Sequence, residues 1–224
     1  MLFNIIRGAD VTEIITYVFA MAFVVFCTLP IHEYAHALVA YKLGDNTAKN
    51  MGRLTINPMA HIDWIGAVMI LLVGFGYAKP VPVNSRNFKN PKFGMAVTAL
   101  AGPISNIIMA FLFLLLGQAV AHFASVTVLW SAVYSFLYFA ALINVSLAVF
   151  NLIPVPPLDG SRVLSALLPD KYYYKLMQYE RYIVIAIFVL LLTGALSKPL
   201  SWLSGILFNA LNYVAALPFG GLLK

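Results

Sequence analysis

Long apolar stretches alternate with short polar links along this chain. The stretches predict membrane-spanning helices, which we place at about 13–41, 93–122, 128–152, 180–197 and 200–218. A helix needs about 20 mostly apolar residues to cross the hydrocarbon core of a bilayer, and these lengths fall near that range. Because an unpaired backbone is costly in lipid, the stretches are expected to be helical. The pattern therefore predicts an all-α polytopic membrane protein with five to six transmembrane helices.

A further apolar run, Trp64–Tyr77, is short for a full span, and three glycines loosen it. It fits either a short tilted helix or a re-entrant element. The following link, 78–92, contains three prolines, which forbid a regular helix and predict extended chain with turns. The predicted fold therefore includes a short re-entrant or extended element after the first helix.

Composition and charge agree with a membrane location. Hydrophobic residues make up 62% of the 224 residues and charged residues 10%, whereas soluble domains are nearer to about half and about a quarter. Lysines and arginines concentrate in the links 42–60, 78–92 and 153–178, which the positive-inside rule places in the cytoplasm, with the N-terminus outside. The net charge of +6 then reflects membrane topology rather than nucleic-acid binding. Both flanks of Trp64–Tyr77 would be cytoplasmic, which favours a re-entrant path.

The first predicted helix contains two histidines and a glutamate among its apolar residues, in the pattern His32, Glu33, His36. Residues four apart lie on one face of a helix, so His32 and His36 can bind one zinc ion. Glu33 lies about 100° away around the helix, which suits a general base for a zinc-activated water better than a third ligand. Ionisable groups at membrane depth are costly, and their presence indicates a functional site.

A catalytic zinc usually has three protein ligands, so the pattern requires one more. His61 and His122 are candidates by residue type, although a lone histidine is more often a hydrogen-bonded surface or interface residue. Asp159 is the stronger candidate, because three prolines break the helix before it and irregular backbone at membrane depth implies a cavity. The alternative for Asp159 is an N-cap of a helix over 160–168.

Asparagines in the predicted membrane helices have two open interpretations. Asn144 and Asn151 are seven residues apart and share a helix face, and Asn106 lies early in the 93–122 helix. Each can form hydrogen bonds between helices, which contribute about 0.6–2 kcal/mol in membranes. Alternatively, Asn106 and Asn151 contact the substrate or a transition-state oxygen.

Three motifs in this order resemble the site-2 protease family, the intramembrane zinc metalloproteases of peptidase family M50. They are the histidine and glutamate pattern, an Ala-Gly-Pro-Ile-Ser-Asn sequence ending at Asn106, and an Asn-Leu-Ile-Pro-Val-Pro-Pro-Leu-Asp-Gly sequence beginning at Asn151. The segments 52–63 and 78–84 are similar to the short bacterial branch without a PDZ or CBS domain. The resemblance covers about residues 10–170.

The resemblance implies zinc held by His32, His36 and Asp159, with Glu33 as the general base. It also implies hydrolysis of peptide bonds in or near transmembrane segments of the cell membrane. The positive-inside rule places His32 within the membrane towards the cytoplasmic side. Transmembrane substrate proteins and the lipid bilayer are then the expected partners. We expect a single integral membrane domain over 1–224, with a catalytic core at about 10–170 and accessory helices at about 176–220.

Two other functions fit parts of the pattern. Ion or proton transporters also keep histidines and acids in broken membrane helices, but they usually have breaks in both halves, whereas this sequence has one. A non-catalytic metal-binding membrane protein would have no need of Glu33. Proteolysis that is lost in Glu33→Gln would distinguish a protease from both.

Overall fold

The computed structural model describes residues 10–73, 78–125, 127–169, 171 and 178–220. Regular structure within these ranges is helical, as predicted. In chain order the helices are α1 (Val11–Phe23), α2 (Leu29–Lys42), α3 (Thr47–Asn50), α4 (Pro58–His61), α5 (Trp64–Val73), α6 (Pro91–Phe123), α7 (Val128–Asn151), α8 (Asp159–Leu167), α9 (Glu180–Leu192) and α10 (Ser197–Ala216). Turns of 3-10 helix lie at Ser85–Asn87 and Leu217–Phe219.

Four helical stretches have the length and apolar composition of membrane spans, namely Val11–Lys42, Pro91–Phe123, Val128–Asn151 and Ser197–Phe219. This is the architecture of a polytopic helical membrane protein. The predicted helix 180–197 is wrong at its end: α9 stops at Leu192, and Gly194, with φ of 74°, turns the chain into α10. Residues 172–177 before α9 lie outside the described ranges, so the number of spans stays a prediction.

The first span is not one regular helix. A π-helical turn, Val24–Thr28, joins α1 to α2, and Thr28 Oγ1 donates to the Val24 carbonyl at 3.1 Å. Pro30 has no N–H to continue the regular hydrogen-bond ladder at this point. A π turn adds one residue, which rotates the following helix face by about 100° relative to an uninterrupted α-helix. The turn therefore sets which face of α2 points inward.

The helix core lies between α6, α7, α1 and α10. Its fully buried positions include many small residues, among them Ala20, Ala110, Ala140, Ala141 and Ala215. Small side chains let helix backbones approach closely, which is how helices associate in lipid. Between α6 and α10, Gln118 Nε2 donates to Asn212 Oδ1 at 2.9 Å, which adds a polar contact to this packing.

The two ends of the segment that contains α5 lie next to each other. The Lys79 N–H donates to the His61 carbonyl at 2.8 Å, so the residues flanking α5 are neighbours. A full crossing would separate them by about 30 Å. The contact therefore favours the re-entrant alternative, although residues 74–77 lie outside the described ranges. The link that follows has no regular helix from residue 78 to 84, in agreement with the prediction, and Asn84 has an extended backbone.

His61 is fully buried in this layer of loops and has a defined tautomer. Its Nε2–H donates to the Thr55 carbonyl at 2.7 Å, and its Nδ1 accepts from Arg53 Nη2 at 3.3 Å. A carbonyl only accepts and a guanidinium only donates, so His61 is neutral. Burial lowers the pKa of the imidazole; the bond to Thr55 opposes this shift, and the Arg53 cation adds to it.

The lowered pKa of His61 predicts a loss of stability in mild acid. Below its ordinary pKa of about 6.5, the unfolded chain binds a proton that the folded imidazole resists, so the free energy of unfolding falls as pH falls. We expect the unfolding temperature of the native protein to decline between pH 7 and 5, and to decline less in His61→Gln. Equal declines in both proteins would contradict this assignment.

Candidate metal centre

The helix α2 presents both of its histidines and its glutamate to the interior. His32, Glu33 and His36 are 4%, 8% and 8% exposed, respectively. His32 Nε2 and His36 Nε2 are 3.0 Å apart, as the spacing of one helical turn allows. Asp159 Oδ2, at the start of α8, lies 3.4 Å from the first nitrogen and 3.3 Å from the second. Side chains from two distant parts of the chain therefore form one triangle of donor atoms.

The dimensions of this triangle fit a zinc ion. Ligand atoms bonded to tetrahedral zinc at about 2.0–2.1 Å lie about 3.3–3.4 Å apart, close to the three separations observed here. The orientation fits as well, because His36 Nδ1 donates to the Thr98 carbonyl at 2.8 Å and so leaves the Nε2 lone pair facing the other donors. Two such lone pairs at 3.0 Å repel unless a proton or a cation lies between them. The three side chains could hold a metal.

A break after α7 brings the carboxylate to the histidines. Three prolines follow Asn151, and the chain resumes helical structure at Asp159, with Leu158 in the N-cap position. A Cβ on Gly160 would overlap the carbonyl oxygens of Leu152 and Ile153, so a glycine is needed for this close return. Leu158 rather than Asp159 is the N-cap of α8, and Asp159 Oδ2 is directed at the histidines, which speaks against the N-cap alternative.

The helix α6 closes the other side of the triangle. Gly102 faces both imidazoles, and a Cβ at this position would overlap His36 Nε2 and lie 2.5 Å from His32 Nε2. The absence of a side chain at Gly102 thus leaves room for the two rings side by side. Thr98, one turn earlier on α6, supplies the carbonyl that orients His36. One stretch of α6 therefore both accommodates and aligns the donors.

Glu33 lies beside the triangle and has a different partner. Its Oε2 accepts the Val81 N–H at 3.1 Å. Val81 belongs to the segment Lys79–Asn84, which lies outside the helices and which we call the strap. The other carboxylate oxygen of Glu33 remains to accept a proton, because a carboxylate offers about four acceptor positions.

A cavity of about 820 Å³ opens onto these groups. Its walls come from α2, α5, α6, α7, α8, α9 and the strap, and they are mostly apolar. Pockets for small ligands have volumes of about 300–1,000 Å³, so this one can hold several residues of a peptide chain. Asp159, Asn151 and Arg162 are among its polar lining residues.

The other residues that the sequence singles out fall in three places. Asn151 lines the cavity, and its Nδ2 donates to the Leu147 carbonyl at 3.0 Å. Asn106 is fully buried one turn beyond Gly102, is not part of the cavity wall, and its amide has no hydrogen-bond partner among the described residues.

The remaining candidates lie apart from the triangle. Asn144 donates through Nδ2 to the Ala140 carbonyl at 2.8 Å within its own helix. His61 bonds within the loops, and His122 packs on the aromatic rings of Phe123 and Phe219.

Comparison with known proteins places this architecture in a family. The sequence profile of peptidase family M50 matches residues 18–194. YwhC of Bacillus subtilis, named as a zinc metalloprotease, is 43% identical over 164 residues, which cover 72% of this chain and 75% of that protein. Rip2 of Mycolicibacterium smegmatis, also named as a zinc metalloprotease, is 29% identical over 202 residues, 85% of this chain and 74% of its own.

A more distant relative comes from an archaeon. Zinc metalloprotease MJ0392 of Methanocaldococcus jannaschii is 30% identical over 149 residues, covering 66% of this chain and 34% of that protein. No solved structure matches the chain.

Fold and donor set together define a helical membrane metalloprotein. The family match and the relatives go one step further: the chain belongs to peptidase family M50. It is a zinc metalloprotease, and zinc is its cofactor. The resemblance to the site-2 protease family is thereby confirmed.

The close approach of Gly102 predicts that Gly102→Ala lowers zinc affinity at least about tenfold, because the added methyl group displaces both imidazoles. Zinc competition against a chromophoric chelator measures the change. Gly117→Ala is the matched control on the same helix, since a Cβ there meets its nearest atoms at 3.8 Å, an ordinary contact. Equal zinc affinities for the two variants would show that Gly102 does not set the positions of the rings.

Proposed function

We propose that this chain is an intramembrane zinc metalloprotease that cleaves peptide bonds in or near transmembrane segments of other membrane proteins. In this proposal His32, His36 and Asp159 hold the zinc, and Glu33 is the general base. The observation that carries it is the triangle of donors within 3.4 Å of one another, with a separate glutamate beside it. The two histidines and the glutamate lie on a helical stretch long enough to span a bilayer. A structural ion pair would need neither the second histidine nor that glutamate.

Bound zinc would supply Lewis acidity and lower the pKa of a coordinated water towards about 7. Glu33 takes the proton of the attacking water on its free oxygen and delivers it to the leaving amine. The Val81 N–H holds the other oxygen, so the carboxylate keeps one orientation through both transfers. Asn151, in the cavity wall, is placed in this proposal as a contact for the substrate backbone.

The proposed substrate follows from the position of the site in the span. His32 lies ten residues before Lys42, the last residue of α2, which is roughly 15 Å along a helix. With the basic links in the cytoplasm, the site lies inside the membrane towards that side. A helix shields its own peptide bonds, so a substrate must unwind near the cut. The cavity has the volume for such an unwound stretch.

The role of Glu33 predicts that Glu33→Gln keeps its zinc and loses proteolysis. Removing a general base costs about 10²–10⁴-fold in rate, whereas the metal ligands remain. Purified variants are compared for zinc content and for cleavage of a tagged single-span membrane protein in detergent. Glu13→Gln, an exposed glutamate on the same span, is the control. Normal cleavage by Glu33→Gln would refute the proposed function.

The third ligand is tested by Asp159→Asn, which keeps the shape of the side chain and would also preserve a helix N-cap. An amide is a poor zinc ligand compared with a carboxylate, so we expect this variant to lose most of its zinc together with its activity. His32→Ala gives the reference for a lost ligand. If Asp159→Asn retained full zinc content, the aspartate would not be a ligand.

A further inference from the structure

The strap is fixed at its first end by the loops after α2. Both backbone groups of Lys79 are paired there. Its N–H donates to the His61 carbonyl at 2.8 Å, and its carbonyl accepts from Arg53 Nη2 at 2.6 Å. Arg53 is 7% exposed, and its own N–H is bonded to the Ala48 carbonyl at 2.8 Å. The guanidinium therefore reaches the strap from a backbone that is itself held.

The second end of the strap is fixed by Asp45, which is fully buried. Its Oδ2 accepts the Asn84 N–H at 2.7 Å, and its Oδ1 accepts from Asn87 Nδ2 at 2.7 Å. The same Oδ1 also accepts the N–H of Thr47 at 3.0 Å and its hydroxyl at 2.5 Å. These bonds outweigh burial and lower the pKa of the carboxyl, which stays ionised. Four neutral donors thus hold one charge at the end of the strap.

The helix that carries the metal-binding histidines positions Asp45 directly. The Asp45 N–H donates to the Ala40 carbonyl at 2.9 Å, and the Gly44 N–H donates to the Tyr41 carbonyl at 3.1 Å. With Gly44 at φ of 107°, this is the Schellman arrangement that ends a helix. Ala40 is one turn after His36. This end of the strap is therefore held in register with α2.

The middle of the strap has one backbone N–H that can donate a hydrogen bond. Pro80 and Pro82 have no N–H, so Val81 carries the sole backbone donor among these three residues. That donor is bonded to Glu33 Oε2 at 3.1 Å. Both ends of the strap are fixed by buried charged side chains, and its centre meets the glutamate next to the metal centre.

We propose that Asp45 and Arg53 are positioning residues for Glu33: they fix the two ends of the strap so that the Val81 N–H holds the glutamate carboxylate in place for proton transfer. This inference rests on the proposed role of Glu33. A misplacement of about 1 Å at a reacting group is enough to lower a rate about a hundredfold. A strap that is not fixed at its ends would therefore lower the rate by displacing the Glu33 carboxylate. The proposed zinc ligands lie on α2 and α8, outside the strap, so we expect the zinc content to be unchanged when the strap loosens.

The first test removes the N–H in the middle of the strap. Val81→Pro deletes that donor and keeps an extended backbone, whereas Val81→Ala keeps the donor and measures the cost of trimming the side chain. Ser85→Pro is the control for a proline in this link, because the first residue of a helical turn tolerates it and Asn84 before it is already extended. We expect kcat per zinc-bound molecule to fall at least about tenfold further in Val81→Pro than in Val81→Ala, and to be unchanged in Ser85→Pro.

The second test loosens the ends with Asp45→Asn and Arg53→Lys, each alone and combined with Val81→Pro. Each single variant should lower kcat per zinc-bound molecule at least about fivefold on the single-span substrate, with zinc content unchanged. In the Val81→Pro background, neither should lower it further, because the contact through which they act is already gone. Asp63→Asn is the control, since Asp63 accepts the Gly66 N–H and has no bond to the strap.

Amide hydrogen exchange supplies a readout that does not depend on catalysis. In the metal-free protein, Asp45→Asn and Arg53→Lys should speed exchange in peptides covering residues 79–84 while leaving α6 protected. Lower unfolding temperatures with unchanged kcat, or losses in kcat that add to that of Val81→Pro, would overturn the inference. Full activity of Glu33→Gln would instead refute the proposed function, so the two failures are distinguishable.

Discussion

The structure depends on one constraint: polar side chains buried among membrane helices need binding partners. Two imidazoles and a carboxylate lie within 3.4 Å of one another in a chain built of membrane helices, where an unpartnered polar group is costly. In the proposed function, a shared zinc ion would satisfy all three at once. Each departure from regular helix near the site serves this convergence: a π turn rotates α2, prolines end α7, and Gly160 lets α8 start against that end.

Two backbone groups align the side chains of the site. The Thr98 carbonyl orients one imidazole, and the Val81 N–H holds the glutamate. Backbone groups cannot rotate away as side chains do, so they align a site only when their own segment is rigid. A long helix makes Thr98 rigid. Val81 lies in a segment outside the helices, and hydrogen bonds at its two ends supply the rigidity instead.

The features of the site that depend on residue spacing and residue type could be predicted from the sequence. The helical face of His32 and His36 follows from a separation of four, and the proline break before Asp159 marks irregular chain wherever it occurs. Contacts made by an absent side chain or by the backbone leave no such mark. In the sequence, Gly102 looks like any other helical glycine. No sequence pattern indicates the hydrogen bond between Val81 and Glu33. The early end of α9 was missed because the apolar run continues past Gly194, whose positive φ is a property of the fold.

The strap also limits how a substrate can lie beside it. An unwound segment in lipid needs partners for both its N–H and its carbonyl groups. Between Lys79 and Val83 the strap has prolines at two positions, and the donor between them is already bonded to Glu33. A chain lying along the strap therefore finds carbonyl acceptors there but few donors. In the proposed function, its freed carbonyls therefore need donors from other parts of the cavity wall, to which Asn151 also belongs.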